Sequence, residues 1–156
     1  MMKPIRLLVL GTGGMANTHV MHFSTISEVQ LVAAVDLDIA TVRAFATRHG
    51  IPNTFTSLEE AIAWGEFDAV TNVTPDRIHY PTTLQLLAAG KHVMCEKPLA
   101  ENYAKADEMA TAAEKSGLVN IVNLTYRNVA EVQKARQMVI GGEIGRVRHI
   151  EASYLQ

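Results

Sequence analysis

The first strand-turn-helix unit constrains the fold of this chain more than any other stretch. Residues 5–17 read IRLLVLGTGGMAN, a short apolar run followed at once by a glycine-rich turn and a helix-compatible segment. In the pattern Gly11-x-Gly13-x-x-Ala16, such a turn brings backbone N–H groups and a helix N-terminus to a place where they can bind a pyrophosphate. The predicted dinucleotide-binding residues of this unit are Gly11, Thr12, Gly13, Gly14 and Met15.

An acidic residue at the end of the second apolar run predicts which dinucleotide is bound. Asp36 directly follows the apolar run from Leu31 to Val35. A carboxylate at this place accepts hydrogen bonds from both hydroxyls of the adenosine ribose and repels a 2′-phosphate. Neither Leu37 nor Asp38 can bind a phosphate as an arginine would, so NAD is preferred over NADP. The alternative is that Asp36 caps the next helix, but Asp38 is better placed to do so.

Apolar runs alternate with helical patterns along the rest of the chain. Two helix signals are a capping box from Ser57 to Glu60 and Pro81, which suits the first turn of a helix. Short loops between strands and helices indicate a parallel sheet that is covered on both faces. With right-handed crossovers this is an α/β, doubly wound fold of the Rossmann type. The six predicted strands lie at residues 5–11, 31–35, 68–73, 92–96, 118–124 and 146–155.

The last predicted strand, residues 146–155, fits this fold poorly. It would be an edge strand with unpaired backbone groups and partly uncovered apolar side chains. We therefore expect residues 1–125 to form the dinucleotide-binding domain. Residues 126–156 would be a crossover helix and a first strand that lead to a second, substrate-binding α/β domain absent from this chain.

Composition excludes some partners and locations. A net charge of −2 and a pI near 6.3 provide no basic field for nucleic acid or anionic lipid. The single cysteine, Cys95, excludes an internal disulfide and suits a reducing compartment, where it is expected to be a small buried hydrophobe rather than a nucleophile. The amino-terminal apolar run is too short for a signal peptide, and no run reaches the ~20 residues that span a membrane. We expect a cytoplasmic protein without a metal site.

Two polar loops follow later strands, at the sheet edge where ligands of such folds bind. They are residues 74–79 and the tripeptide Glu96-Lys97-Pro98. Lys97 stands between a buried strand and a proline, which restricts the backbone and suggests a positioned side chain. Such a lysine can protonate a carbonyl oxygen or hydrogen-bond an alcohol that is being oxidised. On this reasoning alone, a surface lysine at a strand end is an equally good interpretation.

Together these residues resemble the glucose–fructose oxidoreductase, inositol dehydrogenase and MocA family, called Gfo/Idh/MocA. The motif Val73-Thr74-Pro75-Asp76-x-x-His79 and the EIGRV sequence at residues 143–147 are similar to family motifs. The most specific match is the block GKHVMCEKPLA at residues 90–100. The resemblance covers the whole chain. It implies a two-domain NAD(P)-dependent oxidoreductase that transfers hydride between the nicotinamide and a sugar, cyclitol or related polyol.

The resemblance also implies roles for single residues. Lys97 would be the catalytic residue beside nicotinamide and substrate, Glu96 would approach the nicotinamide ribose, and the peptide bond before Pro98 would be cis. For His19, midway along the first helix, a structural role is preferred to a functional one, because its ring can bond to the backbone. Further cofactor-binding residues would be Thr74, Pro75, His79 and Asn123, and Tyr126 and Arg127 would face the substrate.

Other interpretations remain open at this stage. The family's substrate domain supplies residues that complete proton transfer, so this chain alone is expected to bind cofactor without complete catalysis. A stand-alone NAD-binding sensor or partner subunit is one alternative, and a remnant that binds nothing is another. Family members are often dimers or tetramers, which leaves a homo-oligomer open.

Overall fold

Strands and helices alternate along the chain. The computed structural model describes residues 3–153 and 155, which contain six β-strands and six α-helices. The strands are β1 (Ile5–Leu10), β2 (Val29–Val35), β3 (Asn53–Phe55), β4 (Ala69–Asn72), β5 (His92–Glu96) and β6 (Asn120–Asn123). The helices are α1 (Gly14–Phe23), α2 (Ile39–His49), α3 (Leu58–Trp64), α4 (Asp76–Ala88), α5 (Tyr103–Ser116) and α6 (Ala130–Ile140), and a 3₁₀ helix covers Thr125–Asn128.

All six strands form one parallel sheet in the order β3-β2-β1-β4-β5-β6. The chain moves outward from β1 through β2 to β3, then returns to the other side of β1 and continues through β4 and β5 to β6. The direction of winding therefore reverses between β1 and β4, and the carboxyl ends of two such strands are where ligands of doubly wound sheets bind. The predicted α/β, doubly wound fold is confirmed.

The sheet is buried against helices on both faces because successive residues of a strand point to opposite sides. On one face, Val9 and Ala34 pack with Val20 of α1 and Phe45 of α2. On the other face, Leu8 belongs to a core cluster that includes residues of α3 and α4 and contacts α5. The continuous apolar run of β1 thus serves both cores, as is typical of a central parallel strand.

Two strand predictions differ from the structure. Strand β3 was missed because its three residues are too short to show a period, and only pairing with β2 makes it a strand. The strand predicted at residues 146–155 is wrong for the described residues 146–153 and 155, which form no strand. A β-strand needs a partner for its N–H and C=O groups, and no described residue pairs with this segment.

The predicted position of Pro81 is also wrong. Helix α4 begins at Asp76, so Pro81 lies inside the helix rather than in its first turn. Pro75 is the N-cap, with extended backbone angles of φ −60° and ψ 147°. The sequence Thr-Pro-Asp breaks the strand as expected, but its last residue, Asp76, is already the first residue of the helix.

The chain divides into two compact units after Asn123, two residues before the predicted boundary. The second unit, residues 124–156, contains the 3₁₀ helix and α6. Within it, the side-chain amide of Gln133 donates a hydrogen bond to the carbonyl of Arg127, which connects the two helices.

None of the helices formed by the described residues is both long and apolar enough to cross a bilayer.

Cys95 is a free thiol buried in β5, as predicted. Burial raises the pKa of this thiol to about 11, so it stays protonated near neutral pH.

A partly exposed ion pair joins β1 to the residue that precedes β4. The guanidinium of Arg6 donates to both carboxylate oxygens of Asp68, at 3.1 Å from Nε and 2.8 Å from the terminal nitrogen. The backbone N–H of Arg6 donates to the same carboxylate at 2.9 Å. The hydrogen bond from Arg6 lowers the pKa of Asp68 from its ordinary 3.8 to about 2.

We expect this pair to make stability depend on pH in acid. The pKa of Asp68 is lower in the folded chain, so its contribution is complete above about pH 4 and is lost as the pH falls through 2. Asp68→Asn should lower the free energy of unfolding at pH 7 by less than about 1 kcal/mol, since water screens the pair. Urea unfolding of both proteins at pH 7 and pH 2 checks this. A difference that is larger at pH 2 would contradict it.

Candidate functional site

Gly11 lies where β1 passes into the turn, and the structure gives two reasons for a glycine. Its φ is +89°, in the region that L-residues with a side chain rarely adopt. A Cβ atom here would lie 3.0 Å from the carbonyl oxygen of Val73 and 3.1 Å from the amide nitrogen of Thr74. Glycine therefore permits the close approach of β1 to the residues after β4, in addition to any approach to a pyrophosphate.

The protein leaves the amino terminus of α1 open. Its N-cap, Gly13, has no side chain to cap the helix, and the first turn contains no acidic residue. By contrast, a side chain caps each of α2, α3 and α5. A Cβ atom on Gly13 or Gly14 would meet nothing within 4 Å. Backbone N–H groups and the positive end of the helix dipole thus face a clear space that suits a phosphate group.

Asp36 lies at the carboxyl end of β2 and is bonded to the glycine turn. Its Oδ2 accepts hydrogen bonds from the N–H and the hydroxyl of Thr12, at 2.9 and 2.6 Å. Among the described residues, its Oδ1 accepts only a long contact of 3.4 Å, from the N–H of Asp38. The helix cap is Asp38, which accepts from the N–H of Thr41 at 2.6 Å. Asp36 is therefore not the cap of α2, and one of its oxygens has room for a further donor.

The loop after β4 is held by a buried amide. The Oδ1 of Asn72 accepts from the hydroxyl of Thr74 at 2.7 Å, and its Nδ2 donates to Thr82 of α4 at 2.8 Å. Thr74 is half-buried and Pro75 is exposed. Nothing in the local sequence indicates this role of Asn72, because it depends on a neighbouring helix.

His79 is buried in α4 between two loops. Its Nδ1 lies 2.8 Å from the carbonyl oxygen of Pro98, and its Nε2 lies 2.7 Å from the carbonyl oxygen of Thr74. A carbonyl oxygen accepts and cannot donate, so each contact becomes a hydrogen bond only when that ring nitrogen carries a proton. The ring joins the loop after β4 to the loop after β5.

Lys97 follows β5 and is exposed, as is Pro98. The peptide bond between them is cis, in agreement with the resemblance. The Lys97 ammonium forms no hydrogen bond or ion pair with any residue that the structure describes. Its backbone N–H, in contrast, donates to Oε2 of Glu96 at 3.1 Å.

The Glu96 carboxylate is buried and bonded on both oxygens. Its Oε1 accepts from His19 Nε2 at 2.9 Å and from the side-chain amide of Asn123. Burial by itself raises the pKa of Glu96, but the hydrogen bonds from Asn123, His19 and Lys97 outweigh it and lower the pKa overall. The carboxylate thus remains ionised, with its oxygens engaged by the protein's own donors.

The partners of His19 differ from the prediction. The ring bonds to two side chains, Glu96 Oε1 and Thr71 Oγ1, the latter at 2.7 Å from Nδ1, and not to the backbone. A proton on Nε2 satisfies both contacts, since Thr71 can donate to Nδ1. Nothing in the local sequence pairs α1 with β5, and only the folded sheet brings these residues together.

The remaining predicted residues belong to the second unit. Tyr126 and Arg127 lie in its 3₁₀ helix and are both exposed. Among the described residues of the chain, no three His, Cys, Asp or Glu side chains are grouped as a metal site would require.

The predicted site residues of the first unit share one edge of the sheet. They follow the carboxyl ends of five strands: the glycine turn after β1, Asp36 after β2, Thr74 and Pro75 after β4, Lys97 after β5, and Asn123 at the end of β6. A sheet that reverses its winding beside an open helix N-terminus is the arrangement of Rossmann-type dinucleotide-binding units.

Comparison with known families agrees with this class. The Gfo/Idh/MocA model, described as an oxidoreductase family with an NAD-binding Rossmann fold, matches residues 5–124. The chain belongs to this family, and the resemblance stated from its motifs is confirmed.

Several relatives act on sugars or cyclitols. D-glucoside 3-dehydrogenase of Escherichia coli is 32% identical over 93% of this chain and 42% of its own length. The NADP⁺-dependent scyllo-inositol 2-dehydrogenase of Bacillus subtilis is 32% identical over 97% of this chain and 46% of its own. The WlbA dehydrogenase of Chromobacterium violaceum, solved with NADH and UDP-GlcNAcA, has a TM-score of 0.87 at 29% identity, covering 92% of this chain and 42% of that one. The chain therefore spans less than half the length of these proteins.

A pair of glycine variants tests the phosphate site. In Gly13→Val the new side chain meets no protein atom near its Cβ, so the fold should persist while a bound pyrophosphate is displaced. We expect NADH affinity to fall by more than about tenfold, with only a small fall in the thermal midpoint, because valine is a poorer N-cap than glycine. Titration by NADH fluorescence and a thermal melt measure the two effects.

Gly11→Val is the matched comparison for Gly13→Val. Its side chain would clash with Val73 and Thr74 at a positive φ, so it should lower the thermal midpoint as well as binding. If Gly13→Val binds NADH like the unmodified chain, the space before α1 is not the phosphate site.

Proposed function

We propose that this chain is the NAD-binding part of an oxidoreductase that transfers hydride between a nicotinamide cofactor and a hydroxyl-bearing carbon of a sugar, cyclitol or related polyol. The observation that carries the proposal is the open amino terminus of α1 on the same sheet edge as Lys97. The amino terminus of α1 suits the pyrophosphate, and Lys97 suits a reacting oxygen. The named activities of the glucoside and inositol dehydrogenases support the substrate class.

In this proposal the cofactor lies across the carboxyl edge of the sheet. Backbone N–H groups of Gly13, Gly14 and Met15 would hold the pyrophosphate at the positive end of the helix dipole. Asp36, whose Oδ1 has room for a donor, would accept from the adenosine ribose hydroxyls. Thr74 and Pro75 would line the cofactor after β4, and Asn123 with the Lys97 turn would border the nicotinamide half.

Lys97 would act on the substrate oxygen. Oxidation of an alcohol removes a hydride from carbon and a proton from oxygen, and a bound nicotinamide would supply the hydride acceptor. The Lys97 amine would accept the proton from that oxygen, and in the reverse direction the Lys97 ammonium would donate the proton to the carbonyl oxygen. Tyr126 and Arg127 are proposed as substrate-facing residues on the strength of the family resemblance alone.

The same proposal places the protein in the cytoplasm, where a free thiol such as Cys95 stays reduced.

The test of the function is a titration of the purified chain with NADH and with NADPH, in which binding is measured by nicotinamide fluorescence. Saturable binding, tighter for NADH, is expected. A folded chain that binds neither dinucleotide would overturn the proposal.

Asp36→Ala tests the proposed preference for NAD. Loss of the carboxylate should weaken NADH by about tenfold, or about 1.4 kcal/mol, and should leave NADPH unchanged or tighter because the repulsion of its 2′-phosphate is removed. Thr12→Val is the control, since it removes the 2.6 Å hydroxyl contact to Asp36 and keeps the carboxylate. Equal losses of NADH and NADPH in Asp36→Ala would argue against ribose recognition.

Lys97→Ala separates cofactor binding from a role toward the substrate. Because the ammonium is exposed and directed at the reacting oxygen in our proposal, NADH affinity should change by less than about tenfold, or about 1.4 kcal/mol. Lys115→Ala removes the same charge at the far end of α5 and serves as the control. A much larger loss in Lys97→Ala alone would make Lys97 a cofactor anchor.

A further inference from the structure

The position of Lys97 is set by its backbone. The side chain is exposed, and its ammonium has no partner among the residues that the structure describes. A lysine side chain has four rotatable bonds, so it can reach a defined point only if its Cα is held firmly. The point that the ammonium reaches therefore depends on the contacts that hold the turn formed by Lys97 and Pro98.

One attachment comes from the face of the sheet on which α1 packs. Glu96 Oε2 accepts the backbone N–H of Lys97 at 3.1 Å, and Glu96 Oε1 accepts Nε2 of His19 at 2.9 Å. The His19 ring is fixed in turn by Thr71 at 2.7 Å, and Asn123 donates to the same carboxylate. Both His19 and Glu96 are about 5% exposed, so their contacts are shielded from competing water.

A second attachment comes from the opposite face, on which α4 packs. His79 is 1% exposed, and its Nδ1 lies 2.8 Å from the carbonyl oxygen of Pro98. The other ring nitrogen lies 2.7 Å from the carbonyl oxygen of Thr74. The turn is thus held at its N–H by a chain of contacts from α1 and, when Nδ1 of His79 carries the proton, at its C=O by the ring from α4.

We propose that His19 and His79 are positioning residues that hold the Lys97–Pro98 turn from opposite faces of the sheet, with Glu96 as the internal anchor through which His19 acts. The inference rests on the proposed function, because the turn matters only if the nicotinamide half of NAD lies beside it. Glu96 thereby has a role inside the protein that does not need a ribose contact. Displacement of a positioned group by about 1 Å is enough to weaken its action strongly.

The two histidines use different ring nitrogens toward the turn, and this makes the proposal testable. The amide nitrogen of an asparagine lies about where Nδ1 lies, and that of a glutamine lies about where Nε2 lies. His19 acts through Nε2, so His19→Gln should preserve the contact to Glu96 and His19→Asn should lose it. His79 acts through Nδ1, so His79→Asn should preserve the contact to Pro98 and His79→Gln should lose it.

The readout compares NADH with ADP-ribose, which contains the adenosine, the pyrophosphate and the second ribose but no nicotinamide. Calorimetric titrations should show NADH weakened three- to tenfold in His19→Asn and His79→Gln, and within twofold of the unmodified chain in His19→Gln and His79→Asn. ADP-ribose should stay within twofold in all four variants. If the two histidines were purely structural, their replacement would weaken the binding of NADH and ADP-ribose together. Glutamine would then not be the better replacement at His19 while asparagine is the better replacement at His79.

The outcomes separate this inference from the proposed function. If the unmodified chain binds neither NADH nor ADP-ribose, the proposed function fails and this inference fails with it. If the unmodified chain binds both, but the four variants change NADH and ADP-ribose in parallel or leave NADH unchanged, only this inference is overturned.

A measurement on the unmodified chain covers the case in which a variant does not fold. The Lys97 amide lies in an exposed turn, yet it donates to a buried carboxylate. Hydrogen exchange followed by NMR should therefore show this amide protected at least tenfold relative to the amide of Leu37, an 88% exposed residue in the loop between β2 and α2. Exchange of the Lys97 amide at the rate of an open loop would overturn the proposal.

Discussion

The close approach of β1 and β4 at Gly11 is the constraint on which the carboxyl edge of the sheet depends. The two strands pair in parallel from Leu7 with Ala69 to Leu10 with Asn72, and directly beyond this register a Cβ atom on Gly11 would touch the Val73 backbone. The sheet reverses its winding between the same two strands. The glycine turn, the open end of α1 and the loop after β4 all start from this point, so any side chain at Gly11 would disturb them together.

The amino ends and the carboxyl ends of the strands are stabilised in different ways. At the amino edge, a partly exposed ion pair joins Arg6 of β1 to Asp68, the residue that precedes β4. At the carboxyl edge, buried polar side chains replace apolar ones: Thr71, Asn72 and Glu96 are almost fully buried, and each is hydrogen-bonded. Burial of polar groups is costly unless partners satisfy them, and here the partners come from neighbouring helices and strands. The loops that would meet a cofactor are thus tied to the core.

Features that depend on neighbouring residues were predicted correctly from the sequence, and features that depend on residues far apart in the sequence were not. The caps of α2 and α3, at Asp38 and Ser57, were predicted because a cap bonds to an N–H three residues away. Strand β3 was missed because it depends on pairing with β2. The strand expected at residues 146–155 was wrong for the described residues 146–153 and 155, because a segment with no described pairing partner forms no strand. His19 was read as bonded to the backbone because its partners lie 52 and 77 residues away in the sequence.

The sequence by itself determined the alternation of strands and helices, the glycine turn before α1, the acid after β2 and the family motif around Lys97, because each is a pattern within a few neighbouring residues. From these the doubly wound fold and the membership of the Gfo/Idh/MocA family could both be predicted. Only the tertiary structure decided what surrounds these residues: the backbone that Gly11 approaches, the bond from Thr12 to Asp36, and the two histidines that meet the Lys97 turn from opposite faces. The physical reason is that a parallel sheet brings the carboxyl ends of strands that are far apart in the sequence to one edge. A local sequence pattern does not predict which side chains meet there.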